Sequence, residues 1–171
     1  MKLVKPSHPD HTGTGLYYST RAAHRKTAID LVIAALGDLP SDPSSQFLHE
    51  IGEAMREWTI EAVIQGAWVR EYHKWETDTK SYFGVMHGRN GGTAPKWGKI
   101  DGSHVEKVKK QLAVFSATAP ASIAVIEEAR CRVNGMKHED SYLASQSDYE
   151  SLAAAVDQFW QAINDQEQFC P

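Results

Sequence analysis

The sequence predicts an all-α fold, an up-and-down bundle of four to five helices with one long second helix. Three observations carry this expectation. Apolar residues recur at helical spacing through most of the chain, nothing alternates with period two for long enough to make a sheet, and capping and breaking residues divide the pattern into segments. At 171 residues and 42% hydrophobic, the chain has material for one real core and too little for two. A single helical domain over 1–171 is therefore expected.

The first helix is expected from Ser19 to Gly37, its stripe formed by Ile29, Val32, Ile33 and Leu36, after a loose arm over 1–18. "GDLPSDP" ends it. Asp42 before Pro43 is a good N-cap followed by proline at the first helical position, and Ile51, Met55, Trp58, Ala62 and Val69 continue a stripe to about Phe83, with a bend expected near Gly66. Residues 84–102 are rich in glycine and without periodicity, which predicts a loop. Ser103 with Glu106 makes a capping box for the third helix, which Pro120 cannot continue. Ile123, Ile126, Ala129 and Val133 form the fourth stripe. A second capping box, Ser147 with Glu150, opens the fifth helix, with Leu152, Val156, Phe159 and Ile163 as its stripe.

Composition excludes several function classes. The longest apolar run, "LVIAAL", is far below the roughly 20 residues of a membrane span, so a cytoplasmic protein without an anchor is expected. Cys131 and Cys170 give neither a disulfide framework nor a metal spacing. Eight histidines invite a metal, yet no Glu-x-x-His pair stands on the helices, and His49 with Glu53 or His73 with Glu76 are the sort of pairs that usually sit on a surface. No metal and no cofactor are expected. "GTG" and "GRNGGT" lack the lysine and strand context of a phosphate loop. The net charge of −4 hides an asymmetry: Arg89, Lys96, Lys99, Lys107, Lys109 and Lys110 crowd residues 86–110, whereas seven acids and no lysine or arginine follow His138. A basic segment of this kind is a candidate for a polyanion.

The stretch "EEARCRVNGMKHED", residues 127–140, sets polar chemistry where a helix should pack. If the fourth helix continues through it, Arg130, Asn134 and His138 fall on successive turns, near one line, with Arg132 on the flank and Val133 and Met136 opposite. The bland alternative makes the arginines partners of the helix dipole and Gly135 the C-cap.

The order helix, long helix with "YHKWETDTK", basic loop, helix ending in "RCRVNGMKH" and final helix resembles the HEPN superfamily of all-α proteins. Its best-known members are metal-independent endoribonucleases of toxin–antitoxin, phage-defence and CRISPR systems. The family motif is an arginine separated by four to six residues from a histidine, and Arg132 and His138 have five between them. Many members place a polar residue, commonly asparagine, directly after the arginine; here Val133 intervenes and Asn134 comes second. Arg130 is the alternative anchor, its seven-residue separation lying outside the family range. Toxins modified by a partner nucleotidyltransferase carry a tyrosine two residues after the histidine, a position that Asp140 holds here, with Tyr142 two later.

The resemblance implies RNA as substrate, cleaved by its own 2′-hydroxyl. Such cleavage needs a group of near-neutral pKa to move the proton and a fixed cation to hold the phosphorane. His138 suits the first role and Arg132 the second, with Asn134 orienting phosphate or imidazole. One motif offers one histidine, so a homodimer sharing a cleft is the implied source of a second. Arg130, Lys137, Arg89, Lys96 and Lys99 would hold the RNA backbone, and Trp97 could stack on a base. An antitoxin or defence-system partner is implied in the same way. The alternatives are a HEPN-like domain that binds RNA or protein without cleaving, and an unrelated helical interaction protein.

Overall fold

The computed structural model describes residues 1, 4–5, 27, 30–31, 34, 46–138 and 144–169. They form an all-α bundle of four helices: α1 (Gln46–Arg89), α2 (His104–Val114), α3 (Ile123–His138) and α4 (Gln146–Gln166). Among the described residues, the one non-helical pairing is a parallel bridge of β1 (Val4–Lys5) with β2 (Gln168–Phe169). It ties part of the expected loose arm to the chain just after α4. Of the expected first helix, Thr27, Asp30, Leu31 and Ala34 are helical, while its stripe residues lie outside the described residues.

α1 continues through Gly66 and reaches Arg89, six residues past its expected end at Phe83. The cause is packing: Met86 and His87 are buried against α2, His87 Nε2 meeting Gln111 Oε1 at 2.7 Å and its ring lying edge-on to Phe115. Gly91, in the left-handed region at φ 69°, then ends the helix as a glycine C-cap does. The loop therefore occupies residues 90–103, holding a short 3-10 turn at Trp97–Lys99. It doubles back, so α2 opens beside Thr79.

The Ser103–Glu106 capping box forms as predicted. Gly102 before it stands at φ 105°, and a Cβ there would meet Glu106 Oε2 at 2.6 Å, so the tight entry needs glycine. The second box is shifted: Ser145 with Asp148 caps α4, in place of Ser147 with Glu150.

The core lies between all four helices, with Val105, Val108 and Leu112 of α2 fully buried in it. α1 contributes Ile64, Trp68, Tyr72, Trp75, Tyr82, Phe83 and Met86, which corrects the expected stripe, since Met55 and Trp58 are 58% and 68% exposed and Ala62 is exposed too. Trp68 shares a pocket with Leu152, Trp75 meets Phe159 edge-on, and Tyr82 meets Trp160, so α4 runs alongside α1 in the same sense. α3 and α4 are antiparallel neighbours, and α3 therefore runs against α1. Aromatic rings in T-shaped contact fill the centre and set these helices in register.

Candidate functional site

α3 passes through Gly135 without stopping, and its helical backbone includes His138. Ile123, Ile126, Ala129 and Val133 bury its inner side. At about 100° per residue, Arg130 and Arg132 stand about 160° apart around the axis, and His138 stands about 120° from Arg132. The helix therefore sends its two arginines to different neighbours.

Arg132 turns to α4. Its Nη1 donates to Asp148 Oδ1 at 2.6 Å, and Nη2 pairs with Glu128. Asp148 is also the capping-box residue of α4, accepting from the Ser145 backbone N–H at 2.9 Å. Arg132 thus ties the end of α3 to the start of α4. Its guanidinium lines an open pocket of about 260 Å³ with Trp68, Glu128, Asp148, Ser151 and Leu152. Two carboxylates already offset its charge.

Arg130 turns the other way. Its Nε donates to Glu127 Oε1 at 2.7 Å, a bond that pushes the guanidinium pKa further up, and Nη2 donates to the exposed Cys131 Sγ at 3.4 Å. Its charge acts on Tyr72 of α1 and on Glu106 of α2. Asn134 is exposed one turn on. The side chains of Lys137 and His138 lie outside the described residues.

A group of polar side chains fills the junction of α1 and α2. Glu76 is its centre, 23% exposed: Oε1 accepts from Tyr72 Oη at 2.9 Å, Oε2 accepts from His73 Nδ1 at 3.0 Å, and His104 Nδ1 lies 3.9 Å from Oε1. Burial alone would raise the Glu76 pKa, but the hydrogen bonds from His73 and Tyr72 and the nearby imidazoles outweigh it and hold the carboxyl below its usual range. The Tyr72 phenol is pushed strongly up, first by burial and then by Glu76, so it stays a donor. His73 is 43% exposed and gives Glu76 its Nδ1 proton, which leaves Nε2 with the lone pair.

His104 is held in one tautomer. Trp97 Nε1, which can only donate, reaches His104 Nδ1 at 3.2 Å, so Nε2 carries the hydrogen and donates to Thr79 Oγ1 at 2.8 Å. The Thr79 hydroxyl in turn donates to the Trp75 carbonyl at 2.9 Å or the Glu76 carbonyl at 3.0 Å. Burial lowers the His104 pKa to about 4, with Lys80 and Lys107 adding to the fall and Glu76 opposing it. Trp97 itself stacks on Phe83 at 6.3 Å and lies tilted against His104 at 5.0 Å, and it is half-buried.

Around the junction lie the basic residues of the loop and α2. Lys96 and Lys99 are exposed on either side of the 3-10 turn, Lys109 and Lys110 are exposed on α2, and Arg89 is half-buried at the end of α1. Because α3 runs against α1, the loop lies toward one end of α1 while His138, about 12 Å along the axis beyond Arg130, lies toward the other. The result is a polar track from Lys96 and Lys99, over His104 and Lys107, past Arg130, to Asn134 and the end of α3. Residue spacing singled out Arg130, Asn134, Lys96 and Lys99. It named His73 with Glu76 and set them aside as a surface pair, and it passed over Tyr72 and His104, which carry no local signal.

Among the described residues, no group of His, Cys, Asp and Glu is arranged to hold a metal ion, and no helix is long and apolar enough to cross a membrane. The fold and this surface define an all-α helical bundle with a polar, histidine-bearing junction. That architecture is consistent with the HEPN superfamily but not specific to it. The chain matches no family model, no curated protein and no solved structure.

Proposed function

We propose that this chain is a HEPN-like, metal-independent endoribonuclease of a toxin–antitoxin or phage-defence type system. The polar track is the observation that carries the reading. Exposed lysines at one end suit the phosphates of a single strand, and Arg130, Asn134 and the His138 position continue the line along α3. On this reading His138 moves a proton and an arginine of α3 holds the phosphate, while Arg132 serves only if RNA displaces Glu128 or Asp148. Transfer of two protons requires a second group, and a second copy of the chain in a homodimer is one source.

The experiment is cleavage of single-stranded RNA in EDTA. The wild type should cut and leave a 2′,3′-cyclic phosphate, and His138→Ala should abolish cutting with an unchanged helical signal. An inactive wild type, with or without divalent cations, would end the reading. Binding should follow the track as well. Neutralising Arg89, Lys96 and Lys99 together should flatten the dependence of log Kd on log salt by up to about 2, at roughly 0.7 for each single-strand phosphate that the protein ceases to neutralise. An unchanged slope would leave the loop without a role in holding RNA.

A second reading, a helical domain that binds a protein partner, draws on the first turns of α1. Met55 and Trp58, one turn apart, are both exposed there. Stoichiometric binding to a partner that Trp58→Glu abolishes, with no RNA binding, would favour it.

A further inference from the structure

We propose that His73, oriented by Glu76, is the general base of this site and that Arg130 holds the scissile phosphate. This rests on the ribonuclease reading and deepens it.

Two imidazoles stand at the junction, and only one of them can accept a proton. His104 cannot, because both ring nitrogens are engaged, one accepting from Trp97 and the other donating to Thr79, and the ring is buried. His73 can. Its Nδ1–H is fixed on Glu76 Oε2 at 3.0 Å, its Nε2 carries the lone pair, and its side chain is 43% exposed. A substrate can therefore reach the nitrogen that the carboxylate has prepared.

Glu76 is itself held in place. Tyr72 Oη donates to its other oxygen at 2.9 Å, and Tyr72 is buried, so the carboxylate cannot swing away from the imidazole without losing that bond. A carboxylate that fixes one tautomer and stabilises the imidazolium formed on proton transfer is the arrangement general-base catalysis requires. The acidic groups here would repel RNA if they stood alone. Arg130, paired with Glu127, acts on Tyr72 through its charge, and Lys80 and Lys107 act on His104 in the same way, so cations offset the acids of the junction.

The chemistry closes without another co-reactant. His73 Nε2 takes the proton of the ribose 2′-hydroxyl, the O2′–P bond forms and the P–O5′ bond breaks. The departing 5′-oxygen takes a proton from water. The products are a 2′,3′-cyclic phosphate and a 5′-hydroxyl. Glu76 is a positioning residue in this scheme, since it touches the base and not the RNA.

The test compares wild type, His73→Ala, Glu76→Gln and His138→Ala on one single-stranded RNA in EDTA, each checked for fold by circular dichroism. His73→Ala should lower kcat at least about a hundredfold, the smaller end of what a general base contributes, with KM nearly unchanged. Imidazole added to the buffer should restore part of that rate, which it would not do for a structural residue. Glu76→Gln should lower kcat less and displace the acidic limb of the pH–rate profile. Should the alanine variant not fold, His73→Gln, which can still donate to Glu76, carries the same test. Wild-type cleavage undiminished in the His73 variants, or lost without imidazole rescue, overturns His73 as the base and leaves the ribonuclease reading standing. Absence of cleavage by the wild type overturns both.

Discussion

Acidification from neutral pH to about pH 4 should cost the fold about 3 kcal/mol through His104 alone, at 1.36 kcal/mol for each unit of pKa difference. The folded pKa lies near 4, against 6.5 for the group in the absence of the fold. Above 6.5 both states are neutral at this residue and the full stability is present. Between 6.5 and 4 the unfolded chain takes up the proton and the folded one does not, so stability falls with falling pH throughout that window. Geometry gives the same sign independently, since a proton on Nδ1 would face the Trp97 N–H that now donates to it. Glu76, held below the usual carboxylate range, adds to the loss as pH falls through 4.5, its value without the fold, and below. Urea denaturation of wild type and His104→Gln at pH 7, 6, 5 and 4.5 checks this. The variant should be less stable at pH 7 and markedly flatter across the series; equal slopes would mean that His104 is protonated in the fold.

The same residue explains what could not be read from the sequence. Helix existence depends on local pattern, and the Ser103–Glu106 box and the helical run through Val133 both declared themselves. The phase of a helix depends on its neighbours. Met55 and Trp58 make as good a stripe on paper as Trp68, Tyr72 and Trp75, and only the Phe159 and Leu152 side chains of α4 select the second set. The overlapping boxes in "SQSDYE" are likewise equivalent in sequence, and the grip of Arg132 on Asp148 accompanies the choice of Ser145 over Ser147.

The candidate site follows this division. Arg130, Asn134 and His138 could be aligned from helical spacing, and the continuous backbone of α3 supplies that helix. That Arg130 and Arg132 serve different neighbours depends on where α2 and α4 pack. His73 and Glu76 have a visible spacing, but its chemical meaning comes from Tyr72 on the same helix and His104 from the next. His104 bonds to Thr79 across 25 positions of chain, beyond the reach of any local rule.

Replacing Trp75 with alanine should destabilise the protein by about 3–5 kcal/mol, the range for truncating a buried tryptophan. The ring is buried between three partners, edge-on to Phe159 at 5.4 Å and to His104 at 5.4 Å, and tilted against Tyr72 at 6.2 Å. Its removal opens a cavity where α1, α2 and α4 meet and loosens the ring that backs His104. Phenylalanine at the same place should behave differently. Trp75 Nε1 is buried and has no hydrogen-bond partner among the described residues, a situation that costs about 1–3 kcal/mol. Trp75→Phe removes that penalty and leaves a much smaller cavity than alanine does, so its net cost should be well below that of alanine. Chemical denaturation decides between the two, with the midpoint falling much further for alanine at a constant m-value. If phenylalanine proves as damaging as alanine, the indole N–H has a partner in solution, and the junction beneath Glu76 and His104 is wetter than this arrangement of rings implies.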